Sequence, residues 1–295
     1  MPSSTDLSAA ELALVTDQKP MLIASNVLDD AAVRWNDAGT SSDGALDHAS
    51  YPATYAHDQF HHLFTKPSSA NTTWYYVVNM NTAQDFDSVA ILGHNFGTIG
   101  GLTVTLELDD NNNGAYTSTT TLSTWSPGSS NARLSSIVLA GAGVAERHSG
   151  YSHVRLKITK GSAFTPQIGE LWIGRRRHLP YQFDGPLGDQ HHRADFIDFA
   201  SRSGVRTRHQ MSKGQRVFSG SMLIDQSADI TSINTFWSEA DYGNRPFLWI
   251  PDPGTPANVY VMHHSTGELD FGLELPAARR FNLDMIEQAP FKDTE

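Results

Sequence analysis

Asp109, Asn111, Asn113 and Gly114 sit in the stretch LELDDNNNGAYTS, residues 106–118. They fall on the D-x-[DN]-x-[DN]-G spacing of a calcium loop. Carboxylate and amide oxygens at alternate positions are hard ligands of the kind calcium takes. Two features weigh against an EF-hand. The twelfth loop position, where a bidentate Glu belongs, is Thr120, and the flanks LTVTLEL and AYTSTTTL carry strand alternation rather than a helical period. A hairpin tip whose Asn-Gly pair supplies positive φ accounts for the same residues. Calcium held by Asp109, Asn111 and Asn113 is the alternative expectation; no other cofactor is expected.

The chain's 13 histidines raise a second metal question. They gather as His57, His61 and His62, as His191 and His192, and as His263 and His264. His57 and His61 have i, i+4 spacing, but no HExxH motif accompanies them. Surface or loop roles are expected. Neither a G-x-S-x-G elbow nor a G-x-x-x-x-G-K-[ST] phosphate loop occurs, and the carboxylates are scattered, so no enzyme is expected.

Aromatic residues crowd the first part of the chain: Trp35, Tyr51, Tyr55, Phe60, Trp74, Tyr75 and Tyr76. Flat rings stack on sugars, which makes Trp35 and Trp74 candidate glycan-binding residues. The competing reading is that WYYVV is a core strand, because large aromatic side chains are mostly buried. The run Arg175-Arg176-Arg177, in an otherwise acidic chain, suits either an acidic partner surface or a solvated linker. With Phe247 and Trp249 it forms the candidate interface set.

The elements that must position these residues read as mainly β. LTVTLEL places Leu102, Val104, Leu106 and Leu108 on one face, and HVRLKIT places Val154, Leu156 and Ile158 inward. SVAILG and IGELWIG are more continuously apolar and read as inner strands. Residues 1–20 read as a flexible arm, with SAAELAL as a short helical turn. Residues 21–174 read as a jelly-roll sandwich and 175–200 as a junction rich in charge, Pro and Gly. Residues 201–295 read as α+β. There, Asp229 is the expected N-cap of one short helix that ends at Gly243, and strands follow at PFLWI, NVYVMH, DFGLEL and FNLDMIE.

With 295 residues, two domains are expected. A net charge of -11 argues against sequence-specific nucleic-acid binding. The absence of cysteine excludes disulfides and thiolate zinc sites. The N-terminal residues do not show a basic region followed by an apolar core, and no apolar run reaches the ~20 residues that span a bilayer, so neither a signal peptide nor membrane insertion is expected.

Two resemblances follow. SVAILGHNFG, YSHVRLKIT and IGELWIG make the first part similar to a discoidin-like, galactose-binding-like sandwich, a fold used in many proteins for glycan binding. INTFWSEADYG, RPFLWIPDP, NVYVMHH and FNLDMIEQAP, over about residues 180–291, resemble in their order the distal tail and minor tail proteins of long-tailed bacteriophages. That resemblance implies a tail-tube-like domain closing into a homo-oligomeric ring, a hexamer, that joins the tail tube protein to the hub and other tail-tip proteins. It also implies a structural place in the virion, with assembly in the bacterial cytoplasm. The rival expectation is a carbohydrate-binding module that attaches to a cell-surface glycan.

Overall fold

The computed structural model describes residues 3–6, 20–24, 26–29, 31–37, 46–57, 63–125, 137–138, 146–179, 191–193, 196–200, 206–210, 215–224, 227–251, 259–264, 270–275 and 278–288. The strands of the first part are β1 (Ser3–Asp6), β2 (Met21–Ile23), β3 (Ala32–Asp37), β4 (Asn71–Phe86), β5 (Ser88–Leu92), β6 (Thr103–Asp109), β7 (Thr119–Trp125), β8 (Ile137–Val138), β9 (Glu146–Phe164) and β10 (Glu170–Gly174). Those of the second are β11 (Arg176–His178), β12 (His191–Arg193), β13 (Phe196–Ala200), β14 (Arg206–Gln210), β15 (Gln215–Ile224), β16 (Phe247–Ile250), β17 (Tyr260–His264), β18 (Asp270–Leu275) and β19 (Ala278–Glu287). Helix α1 is a single turn, Phe96–Ile99, and α2 spans Ser227–Glu239. The chain is mainly β and divides into two compact units, with the boundary between Arg176 and Arg177 and with Lys19–Ala24 counted in the second.

The first unit is a β-sandwich. One sheet runs β3-β4-β9-β6-β7, with β1 added beside β9, and the other runs β10-β5-β8. Strand alternation puts Trp74, Tyr76, Val78 and Met80 of β4, Val104, Leu106 and Leu108 of β6, and Val154, Leu156 and Ile158 of β9 on one inner face. Val89 and Ile91 of β5 and Leu171 and Ile173 of β10 complete the same core from the second sheet. The continuous apolar runs of β5 and β10 are buried along their whole length. Asn26 ties the chain to β10: its amide nitrogen donates to the Leu171 carbonyl at 3.0 Å and its oxygen accepts from the Ile173 N–H at 3.1 Å.

The aromatic candidates belong to this core. Trp35 is 0% and Trp74 1% exposed, with ring centroids 6.3 Å apart in an edge-on arrangement. Their polar edges are satisfied internally: Trp35 Nε1 donates to Thr65 Oγ1 at 2.7 Å and Trp74 Nε1 to the Phe164 carbonyl at 3.0 Å. Stacking on a sugar needs an open ring face, so the expectation that Trp35 and Trp74 bind glycan is corrected. Both rings hold the sandwich together.

The second unit is an antiparallel sheet in the order β11-β2-β16-β17-β19-β15-β12, with β18 also beside β19 and a separate β13-β14 hairpin. Helix α2 buries Ile233, Phe236 and Trp237 in one cluster with Phe247, Trp249, Phe281, Leu283 and Met285. Asp229 lies in the first helical turn rather than at the N-cap, where its charge still faces the helix N-terminus favourably. The helix stops at Glu239, ahead of Gly243, whose φ of +85° and contact with Trp237 admit no Cβ.

Four further expectations change. Met21–Ile23 pairs with β16 in the second unit, because a wholly buried three-residue run requires cover on both faces. Ser3–Asp6, inside the expected arm, is a strand on β9, whereas SAAELAL lies outside the described residues. Phe247 and Trp249 are both 0% exposed and belong to the core, so they are corrected as interface residues. Nor is the arginine run a solvated patch. Arg176 is buried, and Arg177 binds Glu239 through two hydrogen bonds of 3.2 and 2.6 Å.

Candidate functional site

Cross-strand partners share a face of a sheet. Register therefore assembles, on the outer face of the larger sandwich sheet, groups far apart in sequence. One row across the strands is Ala32, Asn79 and His153, and the next is Arg34, Val77, Arg155 and Glu107. The core-facing residues lie on the opposite side.

The β6–β7 turn folds down over these rows, and Asp109 shapes it. Its fully buried carboxylate accepts the Asn111 N–H on Oδ1 at 3.1 Å, and the Asn113 and Gly114 N–H groups on Oδ2 at 3.1 and 2.7 Å. The Asn111 amide donates to Thr117 Oγ1, and Asn113 Oδ1 accepts from the Ala115 N–H. Asp109 and Asn113 of the calcium pattern thus direct oxygens to the turn's own backbone, and Asn111 bonds a side chain of the same turn. Among the described residues, no group of three His, Asp or Glu side chains is placed to hold a metal ion. Positive φ falls at Asn112 (52°), Gly114 (73°) and Tyr116 (49°). At Gly114 a side chain would also meet the His153 ring at 3.1 Å.

Two anchors fasten the turn to β9. Asn112 bridges the backbone there, donating to the Gly150 carbonyl at 2.6 Å and accepting from the Ser152 N–H at 2.9 Å. Tyr116 lies over the Arg155 guanidinium, 4.3 Å from ring centroid to Cζ, and Tyr75 lies over the same group at the same distance. Arg155 also binds Glu107 through Nε at 2.6 Å, and Lys157 adds a longer ion pair at 3.5 Å. Arginine's planar, weakly hydrated cation suits a place between two rings. Burial raises the Tyr116 hydroxyl pKa far above its ordinary value.

What results is a concave pocket of about 350 Å³, lined by Ala32, Val33, Arg34, Val77, Asn79, Asn113, Gly114, Ala115 and His153. Of its apolar lining residues Val77 is buried, whereas Ala32 and Ala115 are exposed. Asn79 Oδ1 already accepts the Asn81 N–H at 3.0 Å, and Asn113 Oδ1 the Ala115 N–H at 2.9 Å, so the NH₂ group of each is left to donate. His153 Nδ1 engages Ser152 Oγ at 2.9 Å. Partial burial lowers the His153 pKa, the Asp109 charge raises it and Arg34 lowers it further; the net direction is down, so the ring is neutral at pH 7.

Of the residues singled out from sequence, Asp109, Asn111 and Asn113 meet at this site. Trp35, Trp74, Phe247, Trp249 and the arginine run do not. Arg34, Asn79 and His153 were not among them. The alternation of AVRWND and HVRLKIT marks Arg34 and His153 as outward-facing, but only strand register brings them together.

Neither protein-family profiles nor curated proteins show a match to this sequence. Among solved structures, a fucosidase of Ruminococcus gnavus in complex with fucose aligns at 13% identity and a TM-score of 0.37, over 51% of this chain and 26% of that one. Chitosan-binding module 1 of a Paenibacillus sp. IK-5 chitosanase/glucanase aligns at 14% identity and a TM-score of 0.37, over 51% of this chain and 98% of that one. A family 32 carbohydrate-binding module of Clostridium perfringens in complex with galactose aligns at 13% identity and a TM-score of 0.36, over 52% and 98%. At these values no ligand or residue role passes from them to this chain.

Proposed function

We propose that the first unit is a non-catalytic saccharide-binding module and that the outer-face pocket is its binding site. The observation that carries this is the pairing of an apolar floor at Val77 with the hydrogen-bonding groups of Arg34, Asn79, Asn113 and His153 in one cavity. A sugar ring presents the complementary surface, a C–H face edged with oxygens, and a largely pre-formed concave site limits the ordering cost of binding. Binding to a glycan array by the whole chain, lost in Asn79→Ala and His153→Ala variants that keep the native melting temperature, is the expected result. Unchanged binding in both variants would remove the pocket from the proposal.

A second reading concerns the other unit. It is motivated by the chain order of α2, β16, β17 and β19, the order on which the tail-protein resemblance rests. In this reading the second unit is an assembly base of a bacteriophage tail tip that carries the module outward and closes as a ring with other copies. Native mass and negative-stain images test it. A closed ring supports it, and a monomer that also ignores tail tube protein rejects it.

A further inference from the structure

The same pocket contains the means to release its ligand, on the basis of the saccharide-binding reading above. We propose that binding there is coupled to the charge of His153, so that the module holds a neutral saccharide near pH 7 and lets it go on mild acidification.

His153 is the one imidazole of the pocket lining. Imidazole is the side chain whose charge ordinarily changes between pH 5 and 8. Register places it on β9 in one row with Asn79 of β4 and Ala32 of β3, and it is half-buried there. Its Nδ1 engages Ser152 Oγ at 2.9 Å. Its opposite edge lies against Gly114, where an added Cβ would stand 3.1 Å from Cδ2 and 3.2 Å from Nε2. The ring is thus held by its own strand on one edge and by the turn on the other.

A saccharide seated in the pocket covers surface of this ring that water still reaches. Burial penalises the imidazolium and leaves the neutral ring little affected. His94 shows the size of that penalty in this fold: fully buried, it titrates at about 4. The charges around His153 do not reverse the direction. Burial already outweighs the attraction of Asp109 from the turn, and Arg34 of β3 opposes a second positive charge. The other charged or titratable groups of the adjoining elements are engaged with one another. Glu107 of β6 pairs with Arg155 and Lys157 of β9, Tyr116 of the turn and Tyr75 of β4 lie over Arg155, and Asp110 accepts from Ser118. Linkage then gives the sign. A ligand that lowers the His153 pKa binds the neutral ring better, so its affinity is complete above the free value. The affinity falls as pH drops through that value and levels off below the bound one.

The test uses the whole chain and uncharged probes that do not themselves titrate: the methyl glycosides of galactose, glucose, mannose, fucose and N-acetylglucosamine. The His153 ring resonance, assigned by its absence in His153→Gln, is followed by NMR from pH 7.5 to pH 5, with and without a saturating amount of the strongest probe. Calorimetry gives Kd at both ends, and near-UV circular dichroism follows the fold. The expected result is a His153 titration about half a pH unit lower or more in the complex, with Kd about threefold or more weaker at pH 5, the factor that half a unit supplies. An unshifted or raised His153 titration, with binding that acid leaves equal or strengthens, would overturn the coupling and leave the saccharide reading standing. A Kd that follows loss of the near-UV signal instead of the His153 titration would overturn it too. Binding of no probe at either pH would overturn both.

Discussion

Replacing Asp109 with Asn separates two accounts of the DDNNNG turn: an ion holding the loop, or the carboxylate holding it directly. The substitution preserves size and keeps one oxygen, which can still accept from Asn111. Its NH₂ group then faces the N–H groups of Asn113 and Gly114, which now meet Oδ2 at 3.1 and 2.7 Å. Two charge-assisted bonds are lost and two donors are left without an acceptor. Hydrogen bonds to charged groups contribute about 1.5–3 kcal/mol each. Both donors sit in a partly exposed turn and recover some hydration, so the low end applies, and the expected loss is about 3 kcal/mol in total. Urea denaturation at pH 7 measures it, with wild type and variant each run in EDTA and in millimolar calcium. The expected pattern is the same loss in both media, with wild-type stability indifferent to EDTA. Because Asn113 and Ala115 line the pocket, saccharide affinity falls alongside stability. A variant within about 0.5 kcal/mol of wild type would refute the clamp, since ordinary surface changes fall in that range. A wild type that drops to the variant's level in EDTA would show instead that an ion does the holding.

Further outcomes follow from other sites. His94 is fully buried, and burial lowers its pKa to about 4, so the folded state takes up this proton later than the unfolded chain. Its contribution is complete above the unfolded value of 6.5 and is lost as pH falls through the folded value. The difference of 2.5 pH units corresponds to roughly 3 kcal/mol, and His94→Gln should flatten that part of the stability–pH curve measured by urea titration. Gly243→Ala should destabilise the second unit by about 2 kcal/mol or more in thermal melts, since the residue has φ of +85° and its Cβ would stand 2.6 Å from Trp237. Trp35→Ala should cost about 3–5 kcal/mol, while Trp35→Phe, which fills most of the same volume, should leave saccharide affinity within about twofold of wild type. A large affinity loss in a folded Trp35→Phe variant would return that ring to the binding site.

Much of the local structure was legible in the residues themselves. Period-two alternation marks the inward faces of β6 and β9, because pleating alone sends successive side chains to opposite sides. The apolar runs of β5 and β10 mark them as buried, and the spacing of Ile233, Phe236 and Trp237 marks the buried face of α2. The polar spacing around Asp109 marks a turn that binds something at its centre, and what it binds is its own backbone. The site was not legible in the same way. Trp35 and Trp74 carry no local sign of whether their rings meet water or one another; that depends on the second sheet placed over them. Met21–Ile23 lies next to the sandwich in sequence and pairs with Leu248–Ile250 far along the chain. Arg34, Asn79, Asn113 and His153 come from β3, β4, the β6–β7 turn and β9. Side-chain direction within a strand is local and so can be read from the sequence. Which strands are neighbours, and in what register, is a long-range choice settled by closure of the whole core, and only that choice made four separate polar residues into one pocket.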